Sequence, residues 1–252
     1  MSRLWQSIVS LWAWLVLVLC ILLWFPTLVV VRLLTAPFDR GRYIPGRIFR
    51  KIGPAMATLN PLWHFRYSGT VPKNPRRPFV VVSNHESFTD ILLISHLPWE
   101  MKWLSKAELF RIPIMGWMMW LVGDIPVKRG FGPSAVEAMA RCRKALDNRV
   151  SVMIFPEGTR SRTSELLPFK DGAFRLAIEA GVPILPLAVS GTRTALPKND
   201  WRFGRSVAEV QVLEPVETAG LTLAEVPALK GRVRDMIVRA RDALGGTTKE
   251  LP

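Results

Sequence analysis

Phe79-Val80-Val81-Val82-Ser83-Asn84-His85-Glu86-Ser87-Phe88-Thr89-Asp90 is the stretch that decides the fold of this chain. Its first five residues form a short, Val-rich apolar run, the pattern of a strand buried on both faces. Polar residues then lead into a helical segment, Phe88 to Ser95. Side chains at such a strand-to-helix junction project at a sheet's edge, where open α/β sheets receive ligands. Upstream, Asn74-Pro75-Arg76-Arg77-Pro78 reads as the turn that feeds the strand.

The same alternation recurs downstream. Met101 to Leu104 reads as a short strand, apolar Ile112 to Leu121 as a helix beside a greasy surface, and Gly123 to Arg129 as an extended stretch. Ser134 to Leu146 carries Val136, Met139, Ala140 and Leu146 on one side and charges on the other, an amphipathic helix. Ser151 to Phe155 is a strand, followed by a polar loop and a helix over Gly172 to Ala180. Ile184 to Val189 is a further strand, Val207 to Leu213 an edge strand, and Ala224 to Leu244 a basic amphipathic helix. Strands alternating with helices argue an α/β layer architecture, without internal repeats or a long linker.

The N-terminus is of another kind. No residue from Leu4 to Val31 carries a charge, and Leu11 to Val31 is almost wholly apolar. About 20 apolar residues suffice to cross a hydrocarbon core as a helix. A cleaved signal peptide would have a shorter apolar region and a small-residue cleavage site, so the run reads as a retained anchor. Pro26 leaves two geometries open: a kinked span, or two shorter helices, the second over about Ile44 to Leu59, dipping into one leaflet. The division expected is therefore 1–62, an anchoring segment with a basic juxtamembrane region, and 63–252, the α/β domain.

Lys and Arg total 34 against 20 Asp and Glu, a net charge of +14, with pI about 10.7 and mean hydropathy +0.20. Such an excess implies anionic partners: a phospholipid surface, a phosphorylated substrate, an acidic carrier protein or nucleic acid. Arg32, Arg40, Arg42, Arg47, Arg50 and Lys51 form a basic skirt after the anchor, which suits an anionic cytoplasmic leaflet. The two cysteines, Cys20 and Cys142, lie far apart and belong to no ligand-spaced cluster, so neither a disulfide framework nor structural zinc is expected.

Chemistry concentrates in four words. In Asn84 to Asp90, the Asp90 carboxylate can fold back onto the His85 imidazole, fix its tautomer and leave the other nitrogen as a base; spacing alone is equally compatible with a helix cap. In Phe155-Pro156-Glu157-Gly158-Thr159-Arg160-Ser161, Gly158 permits a tight backbone and Arg160 offers a planar fork for phosphate, with Arg162 and Lys170 adding positive field. The third word is Lys106-Ala107-Glu108-Leu109 with Ile112-Pro113-Ile114-Met115-Gly116, continuing to Val127-Lys128-Arg129; the fourth is Val182-Pro183-Ile184-Leu185-Pro186. Trp117, Met118, Met119 and Trp120 read as core or as a wall for flexible hydrocarbon. His64 reads as interfacial, and His96 as a helix-terminal cation.

These four words, in this order over about Ser68 to Val189, resemble the glycerolipid acyltransferase family that includes the 1-acyl-glycerol-3-phosphate acyltransferases. The resemblance implies a mixed central sheet flanked by helices behind the membrane-anchoring segment. It implies His85 as general base with Asp90 as its orienting partner. It also implies Glu157, Gly158, Thr159 and Arg160 as the acceptor's glycerol-phosphate site, with Lys106 and Arg129 as further phosphate contacts. The implied reaction is direct attack of the sn-2 hydroxyl of lysophosphatidic acid on an acyl carrier protein or coenzyme A thioester, giving phosphatidic acid in phospholipid biosynthesis. It proceeds with no covalent acyl-enzyme, no metal and no cofactor. Membrane phospholipids are expected partners and nucleic acid is not; the expected location is a bacterial inner membrane, catalytic domain on the cytoplasmic side. In one departure, Lys128 stands before Arg129 where the family often has an acid. The rival readings are another lyso-lipid or glycerol-3-phosphate as acceptor, and a non-enzymatic, membrane-tethered binder of anionic lipid or nucleic acid.

Overall fold

The computed structural model describes residues 2–161, 165–197 and 200–247. Seven strands form one sheet: β1 (Trp63–Gly69), β2 (Val80–Ser83), β3 (Met101–Lys106), β4 (Ile125–Val127), β5 (Ser151–Ile154), β6 (Ile184–Ser190) and β7 (Ser206–Val212). Their order is β1-β7-β6-β2-β5-β3-β4. The strands from β6 to β4 run parallel, whereas β7 is antiparallel to β6 and parallel to β1. The sheet is therefore mixed, and five strands end at one common edge.

Helices cover both faces. The residues of β2 alternate between two cores, as strand pleating demands. Val80 and Val82 pack with α6 (Gly132–Asp147), α7 (Gly172–Ala180) and α8 (Val226–Thr247), whereas Phe79 and Val81 pack with Leu93 and Ile94 of α4 (Asp90–Ile94). Every residue of β2, β5 and β6 is buried, which is why these strands are apolar without alternation.

One expectation about the sheet needs correction, and one strand was not anticipated. Val207 to Leu213 was expected at an edge, but β7 is internal because β1 lies outside it. Trp63–Gly69 alternates aromatic and polar residues, buries Trp63 and exposes His64 and Arg66, the one-sided pattern of an edge strand.

The apolar N-terminus is a single helix, α1 (Arg3–Thr35), 33 residues running through Pro26. At 1.5 Å per residue it is about 50 Å long, and it is long and apolar enough to cross a membrane. It does not stand free of the domain. Val16, Cys20 and Leu28 pack on Phe49 and Ile52, from α2 (Tyr43–Arg50) and α3 (Ile52–Thr58), and on Met118, Met119 and Val122 of α5 (Met115–Val122). Val9 and Ala13 join Leu62, Trp63 and Phe203. Indole N–H groups of Trp12, Trp14 and Trp24 donate to the carbonyls of Leu59, Trp201 and Ile48. The opposite face, with Leu4, Leu11, Leu15, Leu22 and Leu33, is exposed and apolar.

The basic skirt divides. Arg50 is buried, with its guanidinium on the Asp124 carboxylate and close to Glu100. Arg47 donates inward to the Leu97 carbonyl at 2.8 Å. A buried charge needs such partners, so these two arginines hold the fold together rather than face a leaflet.

Candidate active site

The parallel strands bring the chemistry-bearing words to one place because each word follows a strand that ends at the same edge. The Asn84 to Asp90 word leaves β2, the Phe155 to Ser161 word leaves the adjacent β5, Lys106 ends β3, and Arg129 lies two residues past β4. With strands about 4.8 Å apart, Lys106 and Arg129 lie two and three strand steps from the His85 strand, roughly 10 and 14 Å. Both are exposed, and Lys106 also lies 3.5 Å from Glu108.

At the centre, His85 Nδ1 lies 2.7 Å from Asp90 Oδ2. Asp90 is the first residue of α4 and wholly buried. Its Oδ2 also accepts the backbone N–H groups of Glu86 at 2.7 Å and Ser87 at 3.0 Å. Three donors on one oxygen fix the carboxylate as an acceptor, so the proton on Nδ1 belongs to the imidazole and points at Asp90. That leaves Nε2 as the ring's acceptor, with no protein partner among the described residues. The Phe155 ring stacks on the imidazole, centroids 3.9 Å apart and planes 14° from parallel.

Thr192, just past β6, supplies the other half of the support. Its hydroxyl donates to Asp90 Oδ1, and it is fully buried. Gly191 places it there with φ +91°; a Cβ at Gly191 would meet the Val207 carbonyl oxygen at 2.1 Å, which excludes any other residue. The sequence reading did not single out Thr192, which is 102 positions from Asp90.

The β2 and β5 loops are fastened backbone to backbone. Ser161 N–H donates to the His85 carbonyl at 3.0 Å. The Glu157 carboxylate accepts His85 N–H at 2.8 Å and Leu167 N–H at 2.9 Å. Glu157, expected in the acceptor's glycerol-phosphate site, is therefore turned inward with both oxygens engaged. Burial raises its carboxyl above the usual range against the pull of those N–H groups. Gly158 takes φ +71°, and the Lys170 ammonium lies over it, 2.8 Å from where a Cβ would stand. Thr159 and Arg160 are exposed beyond this brace, and Arg160 has no ion pair among the described residues. Arg162 lies outside the described residues.

Glu86 is a second residue the sequence reading passed over. Burial, then the neighbouring Asp90 and Glu157 charges, push its carboxyl up to about 7 despite Arg193 and Arg241. Among other candidates, Cys142 is buried and its thiol is pushed up to about 12 by burial, an inert state. His96 is not the helix-terminal cation expected: burial lowers its basicity, and its Nδ1 lies 3.0 and 3.1 Å from the Leu92 and Leu93 carbonyls.

Comparison with known proteins adds a family to this geometry. A model described as Acyltransferase matches residues 64–190. The 1-acyl-sn-glycerol-3-phosphate acyltransferase alpha of Homo sapiens is 41% identical over 162 residues, covering 64% of this chain and 57% of that protein. The 1-acyl-sn-glycerol-3-phosphate acyltransferase of Saccharomyces cerevisiae is 33% identical over 174 residues, covering 68% and 57%. The match thus spans a little over half the length of these relatives. Among solved structures, the 1-acyl-sn-glycerophosphate acyltransferase PlsC of Thermotoga maritima superposes with a TM-score of 0.82 at 26% identity, covering 97% of this chain and 98% of that one. His85, Asp90, Glu157 and Arg160 all fall inside the matched segment, and the superposition covers nearly the whole of both chains; the chain belongs to the acyltransferase family.

Proposed function

We propose that this chain transfers a fatty acyl group from an acyl carrier protein or coenzyme A thioester to the free sn-2 hydroxyl of 1-acyl-glycerol-3-phosphate, giving phosphatidic acid. The observation that carries the reading is the 2.7 Å contact from His85 Nδ1 to a buried Asp90, which leaves Nε2 as a base at the sheet's edge. The names of the relatives support the acceptor and the reaction.

The acceptor phosphate docks on Arg160, which is exposed and has no ion pair among the described residues, with Lys170 beside Gly158 and with Lys106 and Arg129 along the same edge. Thr159 flanks that site, and Glu157 acts from behind by holding the loop. The acceptor hydroxyl gives its proton to His85 Nε2 as its oxygen bonds to the thioester carbonyl carbon. The tetrahedral oxyanion then collapses, the carbon–sulfur bond breaks, and the departing thiolate takes the proton from His85. General-base help of this kind is worth about 10²–10⁴-fold. The thioester is already an activated donor, so the reaction calls for no metal and no further cofactor.

The outward apolar face of α1, set against the domain along its length, suits immersion in one leaflet of a membrane better than a span perpendicular to it. We place that membrane as a bacterial inner membrane with the domain on its cytoplasmic side. Membrane phospholipids are partners there, an acidic carrier suits the +14 charge, and nucleic acid is no partner. The test is acyl transfer to lysophosphatidic acid by membranes containing the parent or a variant. His85→Ala should lower turnover by about 10²–10⁴-fold with membrane attachment intact; near-normal turnover would refute the base. Arg160→Ala should chiefly raise the acceptor KM, and an unchanged KM would refute the phosphate site.

A further inference from the structure

Two cavities adjoin at the edge of the sheet opposite His85. One is a groove of about 440 Å³ between α1 and α5, walled by Phe25, Val29, Trp117, Trp120 and Leu121, with Arg32 and Arg42 in its lining. The other, about 340 Å³, shares Arg42 and Trp120 with it and draws further cations from Arg40, Lys102, Arg141 and Lys144. Lys102 lies near the start of β3, and Asp124 in the same lining directly precedes β4. This is therefore the N-terminal edge of strands whose C-terminal ends carry the catalytic loops.

Among the described residues, part of the positive charge at the junction has no acidic partner. Asp124 is buried and engaged by Arg50 and by the Trp103 N–H. Lys102 is held by Glu100 and the Arg42 carbonyl, and Arg141 by Glu137. Arg32, Arg40 and Lys144 have no ion pair among the described residues. Arg42 donates to the Trp120 carbonyl at 2.6 Å rather than to an acid. Arg32 and Arg42 line the same groove, and the basicity of the Arg42 guanidinium is lowered by burial first and by the Arg32 charge second. An anion between them would relieve that repulsion.

We propose that this junction binds one anionic phospholipid of the surrounding bilayer, its phosphate between Arg32, Arg40 and Arg42 and one acyl chain along the groove. The apolar walls favour a lipid over free phosphate, which would leave the groove filled with water. Trp117 and Trp120 are the half-exposed aromatics that gather at a membrane–water boundary. The outer face of α1, which must lie in the same boundary, leads into the groove through Phe25 and Val29. The site is separate from His85, and its occupancy needs no acyl transfer.

The test is a binding titration of the full chain in neutral detergent micelles, read by the fluorescence anisotropy of phosphatidylglycerol labelled on one acyl chain. Phosphatidylcholine with the same label is the control. Phosphatidylglycerol should bind saturably and at least tenfold more tightly than the control. Arg32→Gln with Arg40→Gln should weaken it about 25-fold, near fivefold per cation at an anionic lipid, and leave phosphatidylcholine unchanged. Val29→Trp fills the groove without touching a charge and should abolish phosphatidylglycerol binding with the unfolding midpoint retained. Equal affinity for both lipids, or either variant binding phosphatidylglycerol as the parent does, overturns the proposal. Displacement of the lipid by millimolar inorganic phosphate overturns it as well, since that marks a free-phosphate site.

Discussion

Replacing Thr192 with Val tests the support behind the catalytic base without touching the base. Valine keeps the shape and removes the hydroxyl that donates to Asp90 Oδ1. Asp90 and Thr192 are both fully buried, so water has no ready way to replace the lost donor. Leaving a buried acceptor oxygen unsatisfied costs about 1–3 kcal/mol, and the upper part of that range applies because the acceptor is charged. The three donors on Oδ2 remain, so the carboxylate stays in place but turns more freely about its own bond. Its aim at Nδ1 loosens, and at 1.36 kcal/mol per decade a loss of about 1.4 kcal/mol in the transition state lowers kcat about tenfold. Thr192 lies behind Asp90, away from the proposed acceptor site, so KM should hold. The assay is steady-state acyl transfer by Thr192→Val and Thr192→Ser, with denaturant melts of each. Serine restores the donor and should recover most of the kcat. A valine variant with parental kcat and stability, or a serine variant no better than valine, refutes the role of Thr192.

Two further outcomes follow from the same neighbourhood. Glu86 titrates at about 7 in the folded protein against about 4.3 in an unfolded chain, so between those values the folded state binds more protons. The stability linked to this group is present below about pH 4 and is lost as pH rises through 7, by up to about 4 kcal/mol for a difference of about 2.7 pH units at about 1.36 kcal/mol each. Glu86→Gln should therefore stabilise the fold at pH 8 and not at pH 4; denaturant melts at the two pH values that show the same difference would refute this. Gly158→Ala asks an L-residue to hold φ +71° and should cost about 1–2 kcal/mol, read as a lower denaturant midpoint; an unchanged midpoint would refute the strain argument.

The β2 and β5 strands were legible because burial on both faces leaves an unmistakable apolar run, and the residues that follow such runs must emerge at an edge. The His85–Asp90 contact spans only five residues, so a local word could suggest it, but spacing alone fitted a helix cap as well and the resemblance decided between them. Thr192 was not legible: its tie to Asp90 exists only because β6 lies beside β2, and no local pattern records which strands are neighbours. Glu157 was placed near the acceptor by the word that contains it, but which way its side chain turns depends on the backbone N–H groups of His85 and Leu167. Within the basic skirt, Arg47 and Arg50 turn inward for a related reason. Arg50 looks like any surface arginine until Asp124 and Glu100, far along the chain, are known to await it. β1 escaped notice because its aromatic–polar alternation follows directly on an apolar segment that dominated the reading.

The lengthwise seating of α1 bears on how the protein can be handled. Cutting the chain before Asp39 to obtain a water-soluble catalytic fragment would uncover Phe49, Ile52, Met118, Val122 and Phe203, all now roofed by that helix. The shortened protein would exchange one greasy exterior for another and precipitate. Solubility is better sought by placing charges on the outward positions of α1, such as Leu11, Leu15 and Leu22, while its inner stripe stays untouched.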